Sequence, residues 1–388
     1  MSHAALLAGG MSMEDIQGMS VISNVYDSIC DFAEVEKAYR NARKGKRYRC
    51  EVLNFTADLE SNLINICNHL QWETYEMGAY HPFYVHEPKT RLVMSLKFPD
   101  RIVQWDIYDK LYPFYDKLMI DDSYACRKGK GSHKAADRLQ YWLRQVSRKP
   151  KKWYYLKLDI SKYFYRVDHA ILEEILSRRI KDERLMKLLH KIINSEDTRF
   201  GLPAGMSPDD CTDDMWLWEV GMPIGNLTSQ LFANIYLNEL DQFCKHKLHI
   251  HYFVRYMDDV IILSSDKREL GVWKDEIEAF LKDNLRLDLN KKTAIRPITL
   301  GIDFVGYKIW ATHRKLKTQT ARRLIRHVTV MCELLAKGEM SREAFDRVVS
   351  SYKSLLKHCN SYGLRTKLNS IYKNYTKGGA VDGRFCNH

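Results

Sequence analysis

Two adjacent aspartates, Asp258 and Asp259, lie between two apolar runs and leave few possible folds for this part of the chain. The runs 252–256 and 260–263 are rich in aromatic and β-branched residues, which favours two strands joined by a tight turn. Asp is a common turn residue, so a turn alone would explain an isolated pair. Buried carboxylates, however, are costly unless a counter-charge or a metal ion accompanies them. The pattern therefore predicts a β-hairpin with acids at its tip.

A third aspartate, Asp159, ends another apolar strand that is predicted over residues 153–159. Three carboxylates at the ends of neighbouring strands would form a hard-oxygen site of the kind that Mg²⁺ prefers. Two such ions, about 3.5–4 Å apart, activate an attacking hydroxyl and stabilise a leaving phosphate during in-line displacement. We therefore predict that Asp159, Asp258 and Asp259 are catalytic residues that bind two Mg²⁺ ions, with Mn²⁺ as a substitute.

The overall charge of the chain favours a polyanionic partner. The formal net charge is +12 and the pI is about 9.1, and basic clusters of this kind bind nucleic acids. One cluster covers residues 41–49, and a second, glycine-containing loop carries Arg127, Lys128 and Lys130. The spacing of the second loop is not that of a P-loop, so by itself it is only a weak signal for phosphate binding.

Other features exclude several classes of protein. No apolar run approaches the roughly 18–20 residues that a membrane span needs, and the first residues lack the basic start of a signal peptide. The nine cysteines form no Cys-x-x-Cys pair, which argues against a disulfide framework or a zinc site. We expect a cytoplasmic protein, bacterial or phage-encoded, without a membrane partner and with a disordered tail over residues 1–22.

The pattern along the chain predicts an α+β fold. Strands are expected within residues 80–105, with turns at His81-Pro82, Glu87-Pro88 and Pro99-Asp100, and a hairpin is expected over 300–310. Helices are expected over 26–70, 107–118, 168–194, 228–245, 273–286 and 318–375.

Over roughly residues 25–375, an ordered series of motifs resembles the reverse transcriptases. The hairpin residues 256–259, Tyr-Met-Asp-Asp, match the catalytic hairpin of that family, and residues 158–164 look like its first palm motif. The resemblance implies a right-hand polymerase fold with fingers, an antiparallel palm sheet with helices on one face, and a helical basic thumb. We assign the fingers to residues 23–152, the palm to 153–312, and the thumb with a short tail to 313–388.

The same resemblance implies roles for residues around the nucleotide. Arg91 would contact the incoming triphosphate, and the backbone carbonyl of Ile160 would join the metal ligands. Phe164, five residues after Asp159, matches the aromatic residue that excludes a 2′-hydroxyl and so selects deoxynucleotides. Ordinary aromatic packing is the alternative for this ring.

Further residues would contact nucleic acid or the leaving group. Arg101 and the loop that carries Arg127, Lys128 and Lys130 resemble fingers motifs. Lys292 resembles a palm lysine that protonates pyrophosphate, although the neighbouring Lys291 and a simple solvated role leave alternatives open. The segment 300–307, with Val305, Gly306 and Tyr307, resembles the primer grip.

The segment from Ile224 to Gln230 indicates a subfamily. Most bacterial relatives have Gln at its first position and Pro at its last, whereas this chain has Ile224 and Gln230. The pair of departures resembles the enzymes of diversity-generating retroelements, with Ile224, Gly225, Ser229 and Gln230 near the nucleotide. Such enzymes copy a template-repeat RNA, with errors opposite adenine, for mutagenic retrohoming. Their substrates are deoxynucleotides and a cDNA primer–template duplex, and an oligomeric basic accessory protein is a common partner.

Three alternatives remain open at this point. The chain could be another bacterial reverse transcriptase, of a compact group II intron, retron or defence-associated type. The end of the chain soon after the predicted thumb argues against a full group II intron protein. A catalytically silent RNA-binding protein, or a generic basic helical module, would leave the three carboxylates unexplained.

Overall fold

The computed structural model describes residues 21–86, 91–195, 198–206 and 208–375. Most of the expected tail and the expected turn at Glu87-Pro88 lie outside these residues. The predicted end of the tail at residue 22 was wrong, because Ile22 is buried and its backbone pairs with the segment around Ile180. The Ile22 N–H donates to the carbonyl of Arg179 at 2.8 Å, which fixes the backbone at residue 22.

Helices and strands occupy most of the described residues. The helices are α1 (Tyr26–Ile29), α2 (Phe32–Ala42), α3 (Cys50–Ala57), α4 (Leu59–Gln71), α5 (Phe98–Leu118), α6 (Ser132–Ser147), α7 (His169–Ser177), α8 (Glu183–Ile193), α9 (Leu227–Gln242), α10 (Lys267–Leu285), α11 (Thr318–Ala336), α12 (Arg342–Lys357) and α13 (Tyr362–Tyr375). The strands are β1 (His81–Val85), β2 (Arg91–Ser95), β3 (Tyr154–Asp159), β4 (Phe253–Tyr256), β5 (Asp259–Ser264), β6 (Ala294–Pro297), β7 (Ile302–Phe304), β8 (Tyr307–Ile309) and β9 (Arg314–Leu316). Among the described residues, no helix is both long enough and apolar enough to cross a membrane.

The mixed α+β class that the sequence predicts is confirmed, and it is consistent with a right-hand polymerase fold. One local prediction was wrong, because α5 begins at Phe98 where strand and turn were expected. Pro99 lies in the first turn of α5, where the missing N–H of proline costs no hydrogen bond. The proline that suggested a turn therefore marks the start of a helix.

By their internal contacts, the residues form two compact units, each built from separate segments of the chain. The first contains the residues up to Arg127, Leu158–His251 and Gly271–Thr293. Its helices α2 and α9 both pack against α5. Tyr39, Phe55 and Phe98 pack their rings together with centroids 5.3–6.0 Å apart, so an aromatic cluster joins α2, α3 and α5.

The second unit contains Lys128–Lys157, Tyr252–Leu270 and the residues from Ala294 onward. Its main sheet has the strand order β4-β5-β3-β6, and helix α6 packs against β4 and β8. A smaller sheet has the order β7-β8-β9. The helices α11 to α13 enclose an apolar core of their own that includes Val328, Phe345 and Leu368. The predicted limits of fingers, palm and thumb stay predictions.

Candidate active site

The predicted hairpin is present, with its acids at the tip. Strands β4 and β5 pair antiparallel, and Tyr256 lies opposite Asp259. Met257 and Asp258 therefore form a two-residue turn, the shortest connection that an antiparallel pair uses. Met257 has a φ of 54°, a left-handed conformation that is uncommon outside glycine. The turn thus holds Asp258 and Asp259, both half-buried, at one end of the sheet.

A buried arginine stabilises this turn through a hydrogen bond to its backbone. Arg255 in β4 is fully buried, and its Nη1 donates to the carbonyl oxygen of Met257 at 3.2 Å. An arginine is seldom buried unless its donors are satisfied. Sequence reasoning missed this residue, although a lone cation within the apolar β4 run was a visible signal. Arg255 helps to fix the backbone that presents Asp258.

Lys157 is a second residue that sequence reasoning missed. Its Nζ lies 2.9 Å from Asp259 Oδ2 and donates to the carbonyl oxygen of Asp303 at 2.7 Å. The lysine thereby connects β3 with β5 and with β7, a strand within the predicted primer grip. Alternate residues of a strand face the same side, so Asp159 extends from the same face of β3 as Lys157.

The backbone after Asp159 is fixed by a neighbouring segment of the first unit. The Asp159 carbonyl accepts from the Asn290 N–H at 2.7 Å, and the Ser161 N–H donates to the Asp288 carbonyl at 2.8 Å. Ile160 lies opposite Leu289 between these two bonds. In an antiparallel pair this leaves the peptide groups of Ile160 pointing away from Leu289. The carbonyl that was predicted to join the metal ligands is therefore not used in this pairing.

Lys292 follows the same segment on an exposed turn. Its backbone N–H donates to Asn290 Oδ1 at 3.1 Å, and its side chain is exposed. Lys292 thus lies three residues after Leu289, which lies opposite Ile160. The proposed proton-donor role of Lys292 stays a prediction.

The nucleotide-binding candidates of the first unit belong to one backbone network. The Phe164 carbonyl accepts from the Met222 N–H at 2.7 Å, and the Ile224 carbonyl accepts from the Met94 N–H at 3.0 Å. Strand β2, which contains Met94, begins at Arg91, whose side chain is exposed. The segment 222–224 therefore joins the turn that carries Phe164 to the strand that carries Arg91.

Gly225 allows this close approach. Its φ is 117°, and a Cβ at this position would lie 2.7 Å from Val93 Cγ1. Only glycine accommodates both conditions without strain. Further along, Ser229 is buried in the first turn of α9 and Gln230 is half-buried. The structure thus brings Ile224 and Gly225 to β2 and places Ser229 inside the protein.

Two arginines that were predicted to contact nucleic acid have partners within the protein. Arg101 is bound to Glu51 at 2.9 Å and to the carbonyl of Leu96 at 2.8 Å. Arg127 has a side chain only 4% exposed, and it donates to Asp116 and to three backbone carbonyls. These donors shape the two loops, and the contact of either arginine with nucleic acid stays a prediction.

The remaining candidates from the basic loop and the primer grip differ in exposure. Lys128 is exposed and Lys130 is half-buried. The turn from β7 to β8 has positive φ at Val305 (43°) and Gly306 (85°). Tyr307 is only 2% exposed and its hydroxyl lies 3.2 Å from His133 Nδ1; burial raises its pKa. Tyr307 therefore packs inside the protein, and Gly306 is the exposed member of this turn.

No three His, Cys, Asp or Glu side chains come together as a metal-binding group within the described residues. The chemistry of the donors nevertheless suits a divalent ion, because Asp258, Asp259 and Asp159 supply hard carboxylate oxygens. Lys157 neutralises part of the charge of Asp259. The ligand set of three aspartates and the Ile160 carbonyl stays a prediction.

Comparison with known protein families decides the assignment. The model of the family "Reverse transcriptase (RNA-dependent DNA polymerase)" matches residues 86–309, more than half of the chain. The chain belongs to this family. This is the family of RNA-dependent DNA polymerases, and domains of this family use divalent metal ions.

Curated relatives match at low identity. The chain is 27% identical to Protein YkfC of Escherichia coli over 247 residues, which cover 54% of this chain and 60% of the relative. It is 23% identical to the group II intron-encoded protein LtrA of Lactococcus lactis over 346 residues, 70% of this chain and 54% of the relative. The chain therefore spans little more than half the length of these relatives.

Solved structures of telomerase are also similar. The structure of the Candida tropicalis enzyme in complex with a fragment of telomeric RNA has a TM-score of 0.44 and 14% identity, and the match covers 85% of this chain and 63% of that one.

Proposed function

We propose that this protein copies an RNA template into cDNA at the hairpin tip, with Asp159, Asp258 and Asp259 as its metal-binding catalytic residues. The observation that carries the proposal is the β4–β5 hairpin, whose Asp259 is held by Lys157 at 2.9 Å and whose turn is braced by Arg255. Rigid support of a carboxylate that binds a reacting centre is what transition-state stabilisation requires.

In this proposal, the three aspartates and the Ile160 carbonyl hold two Mg²⁺ ions. Bound there, the ions would supply charge neutralisation and activation of the primer hydroxyl. Lys157 orients Asp259 and limits the repulsion between neighbouring carboxylates. Arg91 positions the triphosphate, and the Phe164 ring excludes a 2′-hydroxyl.

We further propose that the enzyme belongs to the diversity-generating subfamily. In that case the template is a template-repeat RNA, the product serves mutagenic retrohoming, and an oligomeric basic accessory protein assists. The support is Ile224, whose backbone is bound to Met94 of β2, the strand that begins at Arg91, but whose side chain offers only packing. A glutamine there could hydrogen-bond a sugar or base and hold the nucleotide more tightly.

The alternative is an enzyme of the group II intron type, which the similarity to LtrA over 70% of this chain favours. An error spectrum separates the two. Purified protein would extend a primer on an adenine-containing RNA, and the cDNA would be sequenced beside that of Ile224→Gln. Errors concentrated at template adenines and reduced in the variant would support the diversity-generating proposal. Faithful cDNA from both proteins would refute it and leave the group II type.

A further inference from the structure

A row of cations without acids runs from the middle of α6 to the start of β3. The segment 138–153 contains six cations and no Asp or Glu; the cations are Arg138, Arg144, Arg148, Lys149, Lys151 and Lys152. The four cations after the end of α6 are all exposed. A local field of one sign on an exposed surface attracts an anionic partner.

Aromatic rings lie between these cations in one connected chain. Tyr141 packs beside Trp142 with ring centroids 5.2 Å apart. Trp142 meets the edge of Tyr252 at 5.1 Å, and Tyr252 meets Trp153 at 5.4 Å. Tyr141 is the most exposed of these four rings, with 45% of its surface exposed. An exposed ring supported by a buried ring and two half-buried rings is a rigid surface on which a base can stack.

Two of the cations, Arg138 and Lys149, contact these rings. The Arg138 guanidinium lies 4.1 Å from the centre of the Trp142 ring and 5.7 Å from that of Tyr141. Lys149 Nζ donates to the Tyr252 hydroxyl at 2.9 Å and lies 5.4 Å from the centre of Trp153. Cation–π contacts of this kind hold charge and ring in a fixed relation before any ligand arrives.

This surface lies at the opposite end of the hairpin strand from the catalytic turn. Tyr252 precedes β4 and Asp258 follows it, so the two are separated by the whole strand. At about 3.3 Å per residue, six residues extend roughly 20 Å. A template held at the hairpin tip therefore does not account for the rings and cations at Tyr252.

We propose that residues 138–153 together with Tyr252, here called the α6–β3 surface, bind single-stranded RNA outside the polymerase site. The phosphates would contact Arg148, Lys151 and Lys152, and a base would stack on Tyr141. We choose RNA over an acidic protein segment because an acidic segment would bind to the cations alone. The exposed Tyr141 ring, supported by its neighbours, matches the flat face of a nucleobase.

The test measures binding of a fluorescent, unstructured RNA of 30 nucleotides to the full chain by anisotropy, in EDTA and over a range of KCl concentrations. Polymerisation is not required, so failure of this proposal is distinguishable from failure of the proposed function. An unlabelled short primer–template duplex in excess occupies the polymerase site. The variants are Arg148→Gln/Lys151→Gln/Lys152→Gln, Tyr141→Ala and Tyr141→Phe. The control removes three exposed lysines elsewhere, Lys181→Gln/Lys187→Gln/Lys282→Gln.

We expect the triple variant to lose about 10-fold or more in affinity, and its log–log salt slope to fall by about 2, since each lost contact contributes about 0.7. Tyr141→Ala loses about 10-fold and Tyr141→Phe retains affinity, because stacking needs the ring and not the hydroxyl. Extension of a short primer–template stays at the wild-type rate in every variant. Wild-type affinity in the triple variant, or an equal loss in the lysine control, overturns the proposal. Tighter binding of polyglutamate than of RNA, unaffected by Tyr141→Ala, would assign the surface to an acidic protein instead.

Discussion

Asp106 is a buried carboxyl group whose ionisation should weaken the first unit. It lies in α5, is 1% exposed, and neither carboxyl oxygen has a hydrogen-bond partner within the described residues. Burial raises its pKa from 3.8 to about 7, and Lys110 only partly opposes this because it is paired with Glu34 at 3.0 Å. The native state therefore holds the proton more tightly than the unfolded chain does.

The sign and size of the pH effect follow from this difference. A carboxyl group whose pKa is raised by folding favours the folded state while it is protonated there. This contribution is lost as the group ionises, so the free energy of unfolding falls as pH rises from about 4 to about 7. The whole difference corresponds to about 4 kcal/mol, at about 1.4 kcal/mol for each tenfold change in proton affinity. Between pH 5 and pH 8, the contribution of Asp106 is on the order of 2–3 kcal/mol.

Asp106→Asn removes the titration while keeping the shape of the side chain. The free energy of unfolding is measured by urea unfolding, followed by tryptophan fluorescence, at pH 5 and pH 8. From pH 5 to pH 8, the free energy of unfolding of the variant should rise relative to that of the wild type by about 2–3 kcal/mol, which follows from the same linkage. Asp109→Asn is the matched control in the same helix, because the Asp109 carboxylate already accepts from Asn41 at 2.9 Å. An Asp106→Asn protein whose pH dependence equals that of the wild type would refute the reasoning.

Three further predictions concern the site. Lys157→Met should slow primer extension by about 100-fold, since a displaced Asp259 misaligns the reacting groups; a wild-type rate constant in single-turnover assays would contradict the role of Lys157. Gly225→Ala should lower the free energy of unfolding by about 1–3 kcal/mol, because its Cβ would lie 2.7 Å from Val93 Cγ1 at a φ of 117°; unchanged urea unfolding would argue against that strain. Phe164→Val should raise ribonucleotide incorporation relative to deoxynucleotide incorporation by about 10- to 100-fold, and an unchanged ratio of kcat/KM values would identify the ring as packing only.

The hairpin was predictable from sequence because its signal is local. Two apolar β runs around Asp258 and Asp259 leave few alternatives, and the predicted strand ending at Asp159 is likewise present. Phe98 was misread because a proline at the start of a helix and a proline in a turn have the same local pattern. Local patterns alone could not separate the two.

The partners of charged side chains could not be predicted, because they depend on contacts between distant parts of the chain. Arg101 and Arg127 read as phosphate-binding cations until Glu51 and Asp116 are seen beside them. Nothing in the sequence around Lys157 indicates its pairing with Asp259, which is far away in sequence. Sequence predicts the acids of the candidate site but not the cation that pairs with one of them.

The catalytic role of the hairpin is tested by cDNA synthesis by the purified protein on a primed RNA template with deoxynucleotides and Mg²⁺. Asp258→Asn and Asp259→Asn are compared with Asp275→Asn, which removes an exposed carboxylate in α10 that is paired only with Lys274 among the described ion pairs. We predict DNA product from the wild type and from Asp275→Asn, and a loss of at least about 1,000-fold in both hairpin variants, comparable to the loss of a major transition-state contact. Product formation by Asp258→Asn and Asp259→Asn at the wild-type rate would contradict the assignment of catalysis to the hairpin.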